Sequence, residues 1–94
     1  MTVKWTKTAL INLGLIADYI SRDNETRAKT FVQEIRKKAN VLTEFPTIGR
    51  PGRVIGTREL VVHRNYIIAY RVRGEDAEII RVHHVAKQWP STFD

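Results

Sequence analysis

Residues 58–84 read RELVVHRNYIIAYRVRGEDAEIIRVHH. Three runs in this stretch are rich in Val, Ile and Tyr: Arg58 to His63, Tyr66 to Arg73 and Ala77 to His84. Runs of that length and composition, broken by turn residues, predict β-strands. Arg64-Asn65 and Gly74-Glu75-Asp76 leave room only for tight turns, so the three strands form an antiparallel meander. In a register without bulges, period-two alternation sorts the side chains onto two faces. One face then carries Arg58, Leu60, Val62, Ile67, Ala69, Arg71, Ile80, Val82 and His84. The other carries Glu59, Val61, His63, Tyr66, Ile68, Tyr70, Ile79, Arg81 and His83. Both faces are substantially apolar. On this register Arg71 sits where it can pair with Glu78 across the sheet.

Working back toward the N-terminus, residues 46–57 (PTIGRPGRVIGT) hold three Gly, two Pro and two Arg, which predicts a loop. Before it lie two stretches of helical periodicity. Ala9, Leu10, Leu13, Ile16, Ala17 and Ile20 fall on one side of a helix whose first turn Thr6 can cap. Ala28, Phe31, Val32, Ile35, Ala39 and Leu42 fall on one side of a second helix, capped by Asp23 or Asn24 and ended by Pro46. The short polar turn between them predicts an antiparallel helical hairpin. Val3-Lys4-Trp5 reads as a short strand. The expected architecture is α+β: a short N-terminal strand, then a helical hairpin packed on an antiparallel sheet, in the order β-α-α-β-β-β. With 94 residues, the chain is expected to form one domain, residues 1–94.

One helical hairpin covers one face of a sheet. Ile11, Leu15 and Tyr19 also make a second apolar row, nearly opposite the first on the same helix. Either loops and the tail after His84 cover this surplus, or a partner chain does, since large apolar patches on small domains mark interaction sites. The charge is the other anomaly. Sixteen Lys+Arg against ten Asp+Glu leave +6, which predicts attraction to a polyanion or an acidic protein.

Several chemistries are excluded or disfavoured. There are no cysteines, hence no disulfide frame, thiolate metal site or cysteine nucleophile, which fits a reducing cytoplasm. No apolar segment approaches the length of a membrane span, and no signal peptide follows Met1-Thr2-Val3-Lys4-Trp5. The three histidines are His63, His83 and His84; neighbours on a strand point to opposite faces, so no metal site is expected. Gly49-Arg50-Pro51-Gly52-Arg53 lacks the spacing of a phosphate-binding loop and leads into a strand. No cofactor and no small-molecule substrate are indicated.

The ordered set resembles a known family. It runs from Trp5, through Asp18-Tyr19-Ile20, to Phe45-Pro46 and Gly49-Arg50-Pro51. It continues with Gly56-Thr57-Arg58-Glu59-Leu60-Val61-Val62 and Asn65-Tyr66-Ile67-Ile68-Ala69-Tyr70-Arg71-Val72. It closes on Ile79-Ile80-Arg81-Val82-His83-His84 and Lys87-Gln88-Trp89-Pro90. This resembles the ParE branch of the RelE/ParE toxins of type II toxin–antitoxin systems, over nearly the whole chain. The resemblance implies a growth-inhibiting toxin of the plasmid-stabilisation kind, held in check by a cognate antitoxin. ParE-type members inhibit DNA gyrase; RelE-type members enter the ribosome and cut mRNA.

Cutting needs groups that activate the 2′-hydroxyl, stabilise charge on phosphate and protonate the leaving oxygen. The ribonuclease members carry an arginine in the central strand, in a Tyr/His-Arg-Leu-Val-Tyr motif. Here the matching run is Tyr66-Ile67-Ile68-Ala69-Tyr70, with Ile67 at the arginine's place. Where some of those enzymes end in His-His-Tyr, this chain has His83-His84-Val85. The resemblance therefore implies a non-enzymatic gyrase inhibitor. The alternatives are a ribosome-dependent endonuclease using Arg58, Arg81 and His84, or a degenerate member that only binds its antitoxin. The expected target contacts are Arg50, Arg53, Arg58, Arg81, Lys87 and Trp89. The expected antitoxin contacts are Ile11, Leu15 and Tyr19.

Overall fold

Thr6 joins the first two elements. The computed structural model describes residues 1–86. Strand β1, Thr2–Trp5, runs into Thr6, whose extended backbone (φ −69°, ψ 160°) opens helix α1, Lys7–Ser21. Its Oγ1 accepts from Ala9 N at 3.2 Å and donates to the Ile79 carbonyl at 2.8 Å. One side chain thus satisfies a free helix N–H and ties α1 to the sheet. Asn24, not Asp23, caps helix α2, Glu25–Ala39, by accepting from Arg27 N at 2.9 Å. The second helix is shorter than its periodicity suggests. After Ala39 it tightens into a 3-10 turn, Asn40–Thr43, which still buries Leu42.

The meander is present as strands β3 (Arg58–His63), β4 (Tyr66–Arg73) and β5 (Asp76–His84). A two-residue strand, β2 (Arg50–Pro51), forms inside the loop and pairs with β3. β1 pairs parallel with β5, so the full sheet is mixed, in the order β1-β5-β4-β3-β2.

Two bulges overturn the simple face assignment. Val61 pairs with Ile67 and His63 with Tyr66, so Val62 is an extra residue in β3. Ala69 pairs with Arg81 and Tyr70 with Ile79, so Ile80 is an extra residue in β5. Each inserted residue reverses the alternation beyond it. The face against the helices therefore carries Leu60, Val62, Tyr66, Ile68, Tyr70, Ala77, Ile79 and Val82. They pack on Ala9 and Leu13 of α1 and on Phe31, Ile35 and Ala39 of α2. Burying residues such as Phe31, Ile35, Ile68 and Ile79 stabilises the fold by about 1.5–3 kcal/mol each relative to exposure. Leu10, expected in this core, is exposed.

Of the two ways the second sheet face could be covered, the centre of that face needs no partner chain. Ile67 and Ala69 point there and are only 3% and 0% exposed in the chain by itself. The helical row behaves differently: Leu15 and Tyr19 are 64% and 67% exposed, and Ile11 lies with them. No described helix is long and apolar enough to cross a membrane.

Candidate functional site: a braced loop and an apolar helix face

The loop from Pro46 to Thr57 is held at three points. Tyr70, wholly buried in β4, accepts from Gly49 N at 2.9 Å and donates to the Pro46 carbonyl at 2.8 Å. Arg58 Nη1 donates to the carbonyls of Gly49 (2.9 Å) and Thr47 (3.3 Å). Glu59 is the third brace. Its Oε1 accepts from Arg50 Nη2 at 3.1 Å and Nε at 3.3 Å, and its Oε2 accepts from Arg53 N at 2.9 Å. A carboxylate only 3% exposed persists because it is paired and hydrogen-bonded.

These contacts redistribute the expected target residues. Arg50 and Arg53 remain about half exposed while sharing Glu59. Arg58, partly buried, turns Nη1 onto the loop's backbone. Glu59 and Tyr70 were missed as site residues. The signal for Glu59 was present: one acid in strand β3 close behind Arg50 and Arg53. Nothing in the sequence ranked Tyr70 above the other strand aromatics, because its role depends on a loop 24 residues away.

Burial raises the Tyr70 phenol above the ordinary tyrosine value, against the lowering effects of the Gly49 N–H and of Arg58. Folded and unfolded chains both hold this proton below about pH 10. Above it the unfolded chain ionises first, so Tyr70's contribution to stability is lost as pH rises through the raised folded value. Tyr70→Phe leaves the Gly49 N–H and the Pro46 carbonyl without that partner. It is expected to cost about 1–3 kcal/mol at neutral pH and to flatten the alkaline decline of the melting temperature. Identical melting curves for variant and wild type between pH 7 and 11 would remove Tyr70 from this role.

The second region lies where α1 passes the end of β5. An open groove of about 800 Å³ runs there, lined among others by Leu15, Tyr19, Arg22, Tyr66, Arg81 and His84. Arg22 Cζ sits 6.0 Å from the Tyr19 ring centre. His84 Nδ1 accepts from Ala86 N at 3.0 Å, and the His84 ring meets Tyr66 edge-on at 5.0 Å. His63 caps Asn65 N in the same way and packs on Phe31. In this arrangement each ring nitrogen Nδ1 accepts a backbone N–H two residues on.

The expected sharing of one face by His84 and Ile67 is corrected. The Ile80 bulge places His84 opposite Tyr66, while His83 lies opposite Ile67. Arg58 and His84 pair with residues four apart on β4, Tyr70 and Tyr66, from its two sides. At about 3.3 Å per residue, and with a strand between them, their backbones lie more than 13 Å apart. Arg58, Arg81 and His84 are therefore not gathered around one point. Arg71 does pair with Glu78, Nε to Oε1 at 2.8 Å. Lys87 and Trp89 lie outside the described residues. Among those described, no three His, Asp or Glu side chains converge to hold a metal ion.

The architecture is that of a solved toxin–antitoxin structure. A chain described as the chromosomal ParDE TA system from P. aeruginosa superposes with a TM-score of 0.81 and 31% identity, over 90% of this chain and 96% of that one. Residues 3–89 match the family described as ParE toxin of type II toxin-antitoxin system, parDE. The chain belongs to the ParE toxin family of type II toxin–antitoxin systems. Among its relatives is Y4kP of Sinorhizobium fredii, named provisionally as a toxin. It is 43% identical over 92 residues, covering 97% of this chain and 95% of the relative. Toxin RelE2 of Caulobacter vibrioides is 35% identical over 85 residues, covering 90% and 96%.

Proposed function

We propose that this toxin, acting as one domain in the cytoplasm, inhibits DNA gyrase stoichiometrically and stalls it on cleaved DNA. The observation that carries this reading is Ile67. An aliphatic side chain stands where the motif of the family's ribonuclease branch has an arginine, and it can neither stabilise a phosphate nor move a proton. Two further observations support it: Arg58 is engaged with loop carbonyls, and His84 with a turn N–H and Tyr66. A cognate antitoxin would cover Ile11, Leu15 and Tyr19, and the net charge of +6 favours an acidic one.

The test is a supercoiling assay on relaxed plasmid with purified toxin. Inhibition with accumulated linear DNA is expected; full supercoiling at excess toxin would end the gyrase reading. One observation favours a second reading, the 35% identity to a relative named RelE2. A ribosome-dependent nuclease would use Arg81 and His84, and His84→Ala would abolish growth arrest with folding intact. A stoichiometric inhibitor loses at most a graded fraction of its potency on that substitution.

A further inference from the structure

The loop's tip offers the target more than its charges. Ile55 is 100% exposed, the most exposed large apolar side chain among the described residues. Phe45 and Ile48, earlier in the same connection, are also exposed. A single exposed isoleucine on a slack loop is unremarked in most proteins. This loop is braced. Gly52 N donates to Thr57 O at 2.8 Å and Thr57 N to Val54 O at 3.1 Å, closing the turn around Ile55. Gly56, at φ +83°, takes the left-handed backbone that reverses the chain there. Behind the turn stand Glu59, Arg58 and Tyr70. A backbone fixed in this way loses little freedom on binding.

We infer that Ile55 is the anchor by which this toxin docks on its target protein, inserting into an apolar pocket rimmed by carboxylates. The inference rests on the reading of the chain as a toxin that acts by binding a protein. Two features choose a protein over a nucleic acid. An aliphatic tip offers nothing to a phosphate backbone. Beside it, Arg50 and Arg53 are both about half exposed, and two guanidinium groups at the rim favour acidic residues around the pocket. The position separates this surface from the helix face assigned to the antitoxin. The loop adjoins β2 and β3 at one edge of the sheet, whereas Leu15 and Tyr19 border a groove beside β5. Burying one isoleucine corresponds to roughly 10- to 100-fold in affinity.

The experiment compares wild type, Ile55→Asp, Ile55→Ser and Ile55→Leu in the full chain, for growth arrest on induction, gyrase inhibition and melting temperature. Both polar variants are expected to relieve growth arrest by at least tenfold in surviving colonies. They should raise the gyrase inhibition midpoint by tenfold or more, with melting temperatures near wild type because the side chain packs against nothing. Ile55→Leu should stay within about threefold. Folded Asp and Ser variants that arrest growth as wild type does overturn the inference, as does a wild type that leaves growth untouched. A wild type that arrests growth without inhibiting gyrase sinks the gyrase target alone, and the growth comparison still decides the role of Ile55.

Discussion

Replacing Gly49 with alanine is expected to lower the melting temperature by more than ten degrees. A Cβ at that position would stand 2.6 Å from Tyr70 Oη, 2.7 Å from Tyr70 Cε1 and 2.8 Å from the Glu59 carbonyl oxygen. Tyr70 is wholly buried and its ring cannot withdraw, and the carbonyl belongs to strand β3. The loop must move instead, and the hydrogen bonds between Gly49, Pro46 and Tyr70 go with it. Overpacking alone costs about 1–3 kcal/mol, and the broken bonds add to it. A total of about 3 kcal/mol corresponds to roughly 12–24 °C in a domain of this size. Gly14→Ala is the counterpart. Nothing lies within 4 Å of that added methyl, and the site is an exposed position inside α1. It should gain about 0.5–1 kcal/mol from the lower entropy of the unfolded chain. Thermal melts of the two variants check both signs; a Gly49→Ala chain melting within three or so degrees of wild type would refute the bracing of the loop.

Leu15→Glu combined with Tyr19→Ala should abolish most of the antitoxin's affinity and leave the fold alone. Both side chains are largely exposed, so their loss changes stability by no more than about 0.5 kcal/mol. If the antitoxin buries them, each loses the benefit of an apolar contact, and a charge is placed in the interface. The combined cost of about 2–4 kcal/mol corresponds to roughly thirtyfold or more in dissociation constant. Titration calorimetry against the cognate antitoxin measures it. Affinity within threefold of wild type would move the antitoxin to another surface. Because Leu15 and Tyr19 are on the opposite side of α1 from its packed residues Ala9 and Leu13, the variant's melting temperature serves as an internal control.

The order of elements was legible because it rests on short-range chemistry. Thr6 and Asn24 cap because a short polar side chain reaches an N–H three residues on. Period 3.6 in residues 28–39 and the turn at Arg64-Asn65 have the same local origin. The exposed Ile11-Leu15-Tyr19 row could also be read, since it needs only the geometry of one helix. The substitution at Ile67 was visible in the motif itself.

What the sequence could not decide was every property that depends on which residue is opposite which. A bulge inserts one residue without changing composition or hydropathy, yet the two at Val62 and Ile80 reversed the faces of half the sheet and separated His84 from Ile67. The parallel pairing of β1 with β5 joins residues more than 70 positions apart, and no local pattern encodes it. The loop shows the same division. Its glycines, prolines and arginines were plain, but the roles of Arg58 as an internal brace, of Glu59 as a buried clamp and of Ile55 as a displayed tip follow from long-range contacts. Local propensity determined which elements form in this toxin; register and packing decided which side chains those elements present.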